Sequence, residues 1–421
     1  MVRFRSKAAT TVALAATLVV APGVIATQGF VENVDVLVRI HGDASNLYFG
    51  WAVADLADVD ADGVTDVIVS DPYRSGGGAA YVYSGADGSQ IYQWLTSGAN
   101  TFGYAIADAG DANADGKHDV LIGDPTGAGA VELRSGATGA LLHRFTGASA
   151  GDGLGTAVSS AGDVNADGHD DLLLGAGRVD SAAGVDAGAA YVVSGDTYNV
   201  LRTLRGEDAG GRFGTATDLA GDLDGDGLRD LLVGARDSGP FGNGRAYAFS
   251  AANGHRLWSV TAPKSGNEFG SFFVAGLEDI DSDGTSDVYV GDYADAANGG
   301  QAGAAYALSG ADGSVIHAWR GPKPKEGMGP GREAGDIDGD GVQDLAVGSY
   351  LSSAAAKGGG RLDIFSGATG ARLAAIRSTT LGENFGFDAV GLGDTNSDGQ
   401  PDIVVSAATG NNVYIISGVM P

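Results

Sequence analysis

Residues 222–230 read DLDGDGLRD, with aspartate at positions 1, 3, 5 and 9 and glycine at position 6 of the stretch. Four carboxylates within nine residues repel one another unless a cation neutralises them. The pattern occurs seven times: DVDADGVTD from 58, DANADGKHD from 111, DVNADGHDD from 163, DLDGDGLRD from 222, DIDSDGTSD from 279, DIDGDGVQD from 336 and DTNSDGQPD from 394. Starting points lie 52 to 59 residues apart, so the chain is a repeat array rather than a string of unrelated domains.

The spacing suits a hard divalent ion. Ca²⁺ takes six to eight oxygens in flexible geometry, and a glycine at position 6 permits the reversal that folds both halves of a loop around it. The candidate ligands are Asp58, Asp60, Asp62 and Asp66; Asp111, Asn113, Asp115 and Asp119; and Asp163, Asn165, Asp167 and Asp171. They continue with Asp222, Asp224, Asp226 and Asp230; Asp279, Asp281, Asp283 and Asp287; Asp336, Asp338, Asp340 and Asp344; and Asp394, Asn396, Asp398 and Asp402. About seven calcium ions are expected, bound more weakly where Asn113, Asn165 and Asn396 replace a carboxylate. His118 and His169 fall inside two loops but are expected to be exposed non-ligands. The loops are not EF-hands. Position 12, where that motif needs a bidentate glutamate, is Val69, Ile122, Leu174, Val233, Val290, Val347 or Val405, each inside a short apolar run that reads as a buried strand.

Around each loop the same order recurs. A Phe-Gly and a strand-like run precede it, as in FGYAIADAG (102–110). The buried strand follows, then a glycine-rich link, a third strand such as GAAYVVSG (188–195), a hairpin turn and a fourth strand such as SQIYQWL (89–95). Four strands per unit, seven times, predicts an all-β fold: a seven-bladed propeller of four-stranded antiparallel blades. The last repeat stops after its third strand, NNVYIISG (411–418), and an orphan strand, VDVLVRI (34–40), precedes the first. Their pairing would close the ring and remove a free sheet edge.

The Phe-Gly pairs are Phe49-Gly50, Phe102-Gly103, Phe213-Gly214, Phe269-Gly270 and Phe385-Gly386, with Leu154-Gly155 and Met328-Gly329 as variants. In these residues and the calcium loops, the chain from 33 to 418 resembles the FG-GAP repeats of the integrin α-subunit N-terminal head, in a secreted, bacterial-type form. The resemblance implies a binding or adhesion module for a protein or glycan ligand, and in the integrin head ligands and the partner subunit meet opposite the calcium loops. That side carries the long, varied links, such as 177–188, 236–244, 292–303 and 349–360.

Composition narrows the partners. The formal charge of −28 argues against nucleic acid or anionic lipid, and the absence of cysteine excludes disulfides and thiol chemistry. Arg3, Arg5 and Lys7 precede an alanine-rich apolar run ending in VIA, which reads as a signal peptide over residues 1–26. Pro22 and weak hydropathy favour cleavage over a retained anchor, leaving one propeller domain over 27–421, secreted to the periplasm or beyond, monomeric and without a membrane span. The alternative is an extracellular enzyme on the propeller, such as a polysaccharide lyase, a hydrolase or a phospholipase. The GASAG at 147–151 lacks the strand–elbow–helix setting that a nucleophilic serine requires, so no catalytic residue is assigned.

The sixth repeat is irregular. It opens MGPGREAGD (328–336), one residue short, with Pro330 removing a ladder donor and Arg332 and Glu333 in the innermost strand. One reading is a degenerate blade with a shortened, frayed inner strand. The other is an anion site at the channel mouth, formed by Arg332 with Lys323 and Lys325 of the neighbouring GPKPKEG (321–327).

Overall fold

The computed structural model describes residues 29–418. The expected signal peptide, residues 1–26, lies outside them. The described chain forms seven four-stranded antiparallel sheets arranged as propeller blades, and its one helical element is the 3-10 turn Ala408–Gly410. Blade 1 runs Val53–Leu56, Asp66–Asp71, Ala79–Tyr83 and Gln90–Leu95 from the channel outward. Blades 2 to 6 repeat this order. Blade 7 takes three strands from the C-terminal end, Phe385–Gly393, Asp402–Ala407 and Asn412–Ile416. Its outer strand is Val36–His41, paired antiparallel from Val36↔Ile416 to His41↔Asn412. The expected closure is therefore present.

The second strand of each blade lies between two strands and two neighbouring blades, and its residues are correspondingly apolar. Asp66–Asp71, Asp171–Ala176, Asp344–Ser349 and Asp402–Ala407 are buried along their whole length. Between blades, Phe49, Phe102, Phe213, Phe269 and Phe385 are at most 1 % exposed. The glycine that follows each has a backbone reason. Gly103 sits at φ +89° and an added Cβ would stand 2.3 Å from the Ala79 carbonyl of the preceding blade. Phenylalanine as wedge and glycine as close approach explain the pair.

The innermost strand of blade 6 corrects one expectation. It is not frayed: Met328–Gly335 spans eight residues and pairs with Asp344–Ser349. Pro330 falls inside the bulge between the Met328 and Gly331 pairings, where no ladder amide is needed, so its missing N–H costs no bond.

Candidate metal loops and an aromatic collar

Each acidic loop is drawn into a ring by its own backbone amides. In the loop 222–230, Asp222 accepts from the amides of Gly225, Asp226 and Gly227 at 2.8, 3.1 and 2.9 Å. Asp226 accepts from the Leu228 amide at 2.9 Å. Asp230 accepts from Leu223 at 2.8 Å with one oxygen and from Ala251, in the hairpin turn, at 2.9 Å with the other. Two backbone reversals aim the carboxylates inward. Position 6 is glycine throughout, as at Gly227 with φ +92°. Position 4 is also left-handed, at Ala61, Ala114, Ala166, Ser282 and Ser397 as well as Gly225 and Gly339. Sequence reading missed the second reversal, because alanine and serine do not advertise it.

Four loops gather three carboxylates whose ligand atoms all lie within 4.8 Å of one another: Asp58/Asp60/Asp62, Asp222/Asp224/Asp230, Asp279/Asp281/Asp287 and Asp336/Asp338/Asp344. These are the loops with aspartate at position 3. In the other three, no such trio forms among the described residues, and the asparagine amide bonds a loop carboxylate instead. Asn113 donates to Asp119 at 3.0 Å, Asn165 to Asp171 at 3.5 Å and Asn396 to Asp398 at 3.0 Å. Oxygen-only donor sets of this density fit a hard divalent cation, which would neutralise the mutual repulsion. Burial pushes the position-9 carboxyls up, to about 7 at Asp66 and Asp119 and about 6 at Asp171, Asp230, Asp287 and Asp344.

Neither loop histidine joins a carboxylate trio. His118 pairs with Asp108 at 2.7 Å, and His169 contacts the Ala112 carbonyl at 2.9 Å. Neighbouring loops are also stitched together, through Lys117 to the Asp58 carbonyl at 2.6 Å and Asp170 to the Asp111 amide at 2.8 Å.

The seven innermost strands enclose a central channel of about 1180 Å³. Arg332 lies within it, paired with Asp388. Its Nη1 is 3.3 Å from Asp388 and donates to the Val53 carbonyl at 3.2 Å, while Asp388 accepts the Val53 amide at 3.1 Å. Lys323 pairs with the buried Glu326 at 3.4 Å, and neither Lys323 nor Lys325 lines the channel. The three cations are thus not brought together. Asp55, Asp218 and Glu333 share the channel with Arg332, and burial raises the pKa of all three, Glu333 to about 8.

At the Phe-Gly end of the channel, six half-buried aromatic rings form a closed collar that sequence reading did not assemble. Centroids step from Trp51 to Tyr104 (5.8 Å), Phe272 (6.0 Å), Tyr293 (6.3 Å), Tyr350 (6.4 Å), Phe387 (5.2 Å) and back to Trp51 (5.4 Å). Blades 3 and 4 offer Thr156 and Thr215 to the channel lining instead. Tyr73 and Tyr48 extend the patch outward from Trp51, each 38 % exposed.

Known proteins share these features. The family model described as "FG-GAP repeat" matches residues 154–193 and 213–249. Integrin alpha-5 of Xenopus laevis is 32 % identical over 212 residues, covering 45 % of this chain and 20 % of that protein. Integrin alpha-IIb of Homo sapiens is 34 % identical over 216 residues, covering 46 % and 20 %. Integrin alpha-PS2 of Drosophila melanogaster is 35 % identical over 159 residues, covering 35 % and 11 %. The chain thus spans a fifth or less of the length of these relatives. With Phe-Gly wedges between the blades and an acidic loop in each, the chain is an FG-GAP repeat protein whose β-propeller resembles that of integrin α-subunits.

Proposed function

We propose that this propeller is a calcium-braced binding module of the adhesion type, acting outside the cytoplasm on a protein or glycan ligand. The aromatic collar is the observation that carries the reading. Six half-buried rings around a channel mouth leave apolar surface open on the side where the links between strands are long and varied. Such a patch on a soluble protein marks a recognition surface. The acidic loops occupy the other end, where the position-5 and position-9 carboxylates bond the hairpin turns, as Asp62 bonds Ser84 at 3.1 Å. Calcium there would hold the blades as a rigid frame and would take no part in chemistry.

Two measurements test the proposal. Calorimetric or native mass-spectrometric titration should give about seven calcium ions, and fewer than four would reject the bracing. A glycan and matrix-protein array probed with wild type and with the Trp51→Ala/Tyr350→Ala variant should yield a ligand whose binding the variant loses. A ligand held equally by both would place recognition away from the collar.

A further inference from the structure

Four blades share a filling rule, and blades 2, 3 and 6 depart from it, blade 2 with Glu132 and blade 6 with Met328 and Asp363 in place of the ring partners. The Phe-Gly phenylalanine stands edge-on to a tyrosine of the third strand of its own blade: Phe49 to Tyr81 at 5.5 Å, Phe213 to Tyr247 at 5.2 Å, Phe269 to Tyr306 at 5.5 Å and Phe385 to Tyr414 at 5.9 Å. Those tyrosines are at most 6 % exposed. Blade 3 keeps the tyrosine, Tyr191, but has Leu154 for the phenylalanine, and Tyr191 is only half-buried. On the facing side, the outer strand of blade 2, Leu141–Thr146, presents a half-buried Phe145 where blades 1 and 5 bury Trp94 and Trp319. A crevice of about 360 Å³ results, lined by Phe145, Leu154, Leu174, Tyr191 and Val193 and reaching the backbone of Thr146, Gly147 and Ala148.

Another interface shows what such a crevice receives. Between blades 6 and 7, Phe30, which belongs to no blade, inserts its ring 4.8 Å from Phe385 and 5.5 Å from Tyr414 and is 7 % exposed. Its segment adds an isolated antiparallel bridge to the end of the outer strand of blade 6. Phe30 bridges Ser378, the Val31 amide donates to the Arg377 carbonyl at 3.0 Å, and the Thr379 amide donates to the Gly29 carbonyl at 2.7 Å. Aligning the outer strands of blades 2 and 6 places Thr146, Gly147 and Ala148 at the positions of Arg377, Ser378 and Thr379. The Ala148 amide, counterpart of the bonded Thr379 amide, has no partner among the described residues.

We propose that the crevice between blades 2 and 3 binds an extended peptide segment of a partner protein. The segment would seat one phenylalanine- or tryptophan-sized side chain against Tyr191 and pair its backbone with Thr146–Ala148. Apolar cavities smaller than this one take up aromatic rings, and strand addition supplies the main-chain bonds. The site lies on the flank of the propeller and is separate from the collar.

The test uses the full chain in calcium and three blocked tripeptides, acetyl-Gly-Phe-Val-amide, acetyl-Gly-Trp-Val-amide and acetyl-Gly-Ala-Val-amide, with binding followed by NMR. The two aromatic peptides should bind and shift the Tyr191 signals, and the alanine peptide should not. Leu154→Phe fills the crevice with a covalent ring and should abolish binding while leaving the melting temperature unchanged or higher. Should that variant fold poorly, Ala148→Pro removes the backbone donor at an exposed position and should weaken binding. Trp51→Ala, at the collar, should leave it unaltered. The proposal is overturned if wild type binds none of the peptides, if binding survives in both crevice variants, or if Trp51→Ala removes it.

Discussion

The Leu223 amide donates a 2.8 Å hydrogen bond to the Asp230 carboxylate, and the equivalent bond from position 2 to position 9 recurs in six of the seven acidic loops, with the Asn113 amide at position 3 taking its place in the loop 111–119. The second oxygen of the position-9 aspartate in blades 1 to 6 takes an amide of the following hairpin turn, such as Ala251 for Asp230, and in blade 7 Asp402 takes the Gly418 amide after the third strand. Position 9 therefore joins two turns of a blade with or without a cation.

A contrast between two ligands of one loop follows. Asp230→Ala strands two amides beside a fully buried site and should lower unfolding free energy by about 2–5 kcal/mol, in calcium and in chelator alike. Asp226 is exposed at the centre of the loop. Asp226→Ala should lower stability in calcium and barely alter it in chelator. Denaturant unfolding under both conditions decides the matter, and an Asp230→Ala effect confined to calcium would refute the structural role.

The same carboxyls set a pH dependence. Their folded pKa values, about 6 to 7, lie above the ordinary aspartate value of 3.8. A group raised on folding contributes stability that is complete below its unfolded pKa and lost as pH rises through its folded one. In chelator, the melting temperature should fall between about pH 4 and pH 7. Calcium binds the ionised form and should abolish or reverse that fall. A chelated protein that gains stability over this range would show that the position-9 groups are ionised without metal.

Much of this was legible because it is local. Seven registered loops and the Phe-Gly wedges each lie within a few residues of chain, so spacing alone reported them, and the split blade showed as a last repeat one strand short with an orphan strand before the first. The collar was hidden for the opposite reason. Trp51, Tyr104, Phe272 and Phe387 read as strand residues next to Phe-Gly, and Tyr293 and Tyr350 as loop residues, until ring closure placed them edge to edge. Arg332 was visible as an anomaly, but its partners Asp388 and Val53 are 56 and 279 residues away. No sequence period connects them.

Arg332 and Asp388 clasp blades 6 and 7 to the backbone of Val53 in blade 1, across the closing seam of the ring. Asp388 is 2 % exposed, so Arg332→Met leaves a buried carboxylate without its cation. The expected cost is about 3–5 kcal/mol. Removing both charges, in Arg332→Met/Asp388→Asn, should recover more than half of it. Additive losses in this double-mutant cycle would mean that the pair does not act as a unit.

Glu333, next to Arg332 on the same strand, behaves oppositely. Burial in the channel, reinforced by the nearby charge of Asp55, raises its pKa to about 8, against the partial opposition of Arg332. At pH 7 its side chain is therefore mostly a neutral acid, and glutamine matches it in shape and charge. Glu333→Gln should match wild type near pH 4.5 and be the more stable of the two at pH 7, where the unfolded glutamate is ionised and the folded one is not. The wild-type group is raised on folding, so its contribution is complete below about pH 4.5 and lost as pH rises through 8. Between about pH 4.5 and pH 8 the wild type should lose stability that the glutamine variant retains. Parallel melting curves for the two proteins over that range would mean that Glu333 is already ionised at neutral pH, paired with Arg332.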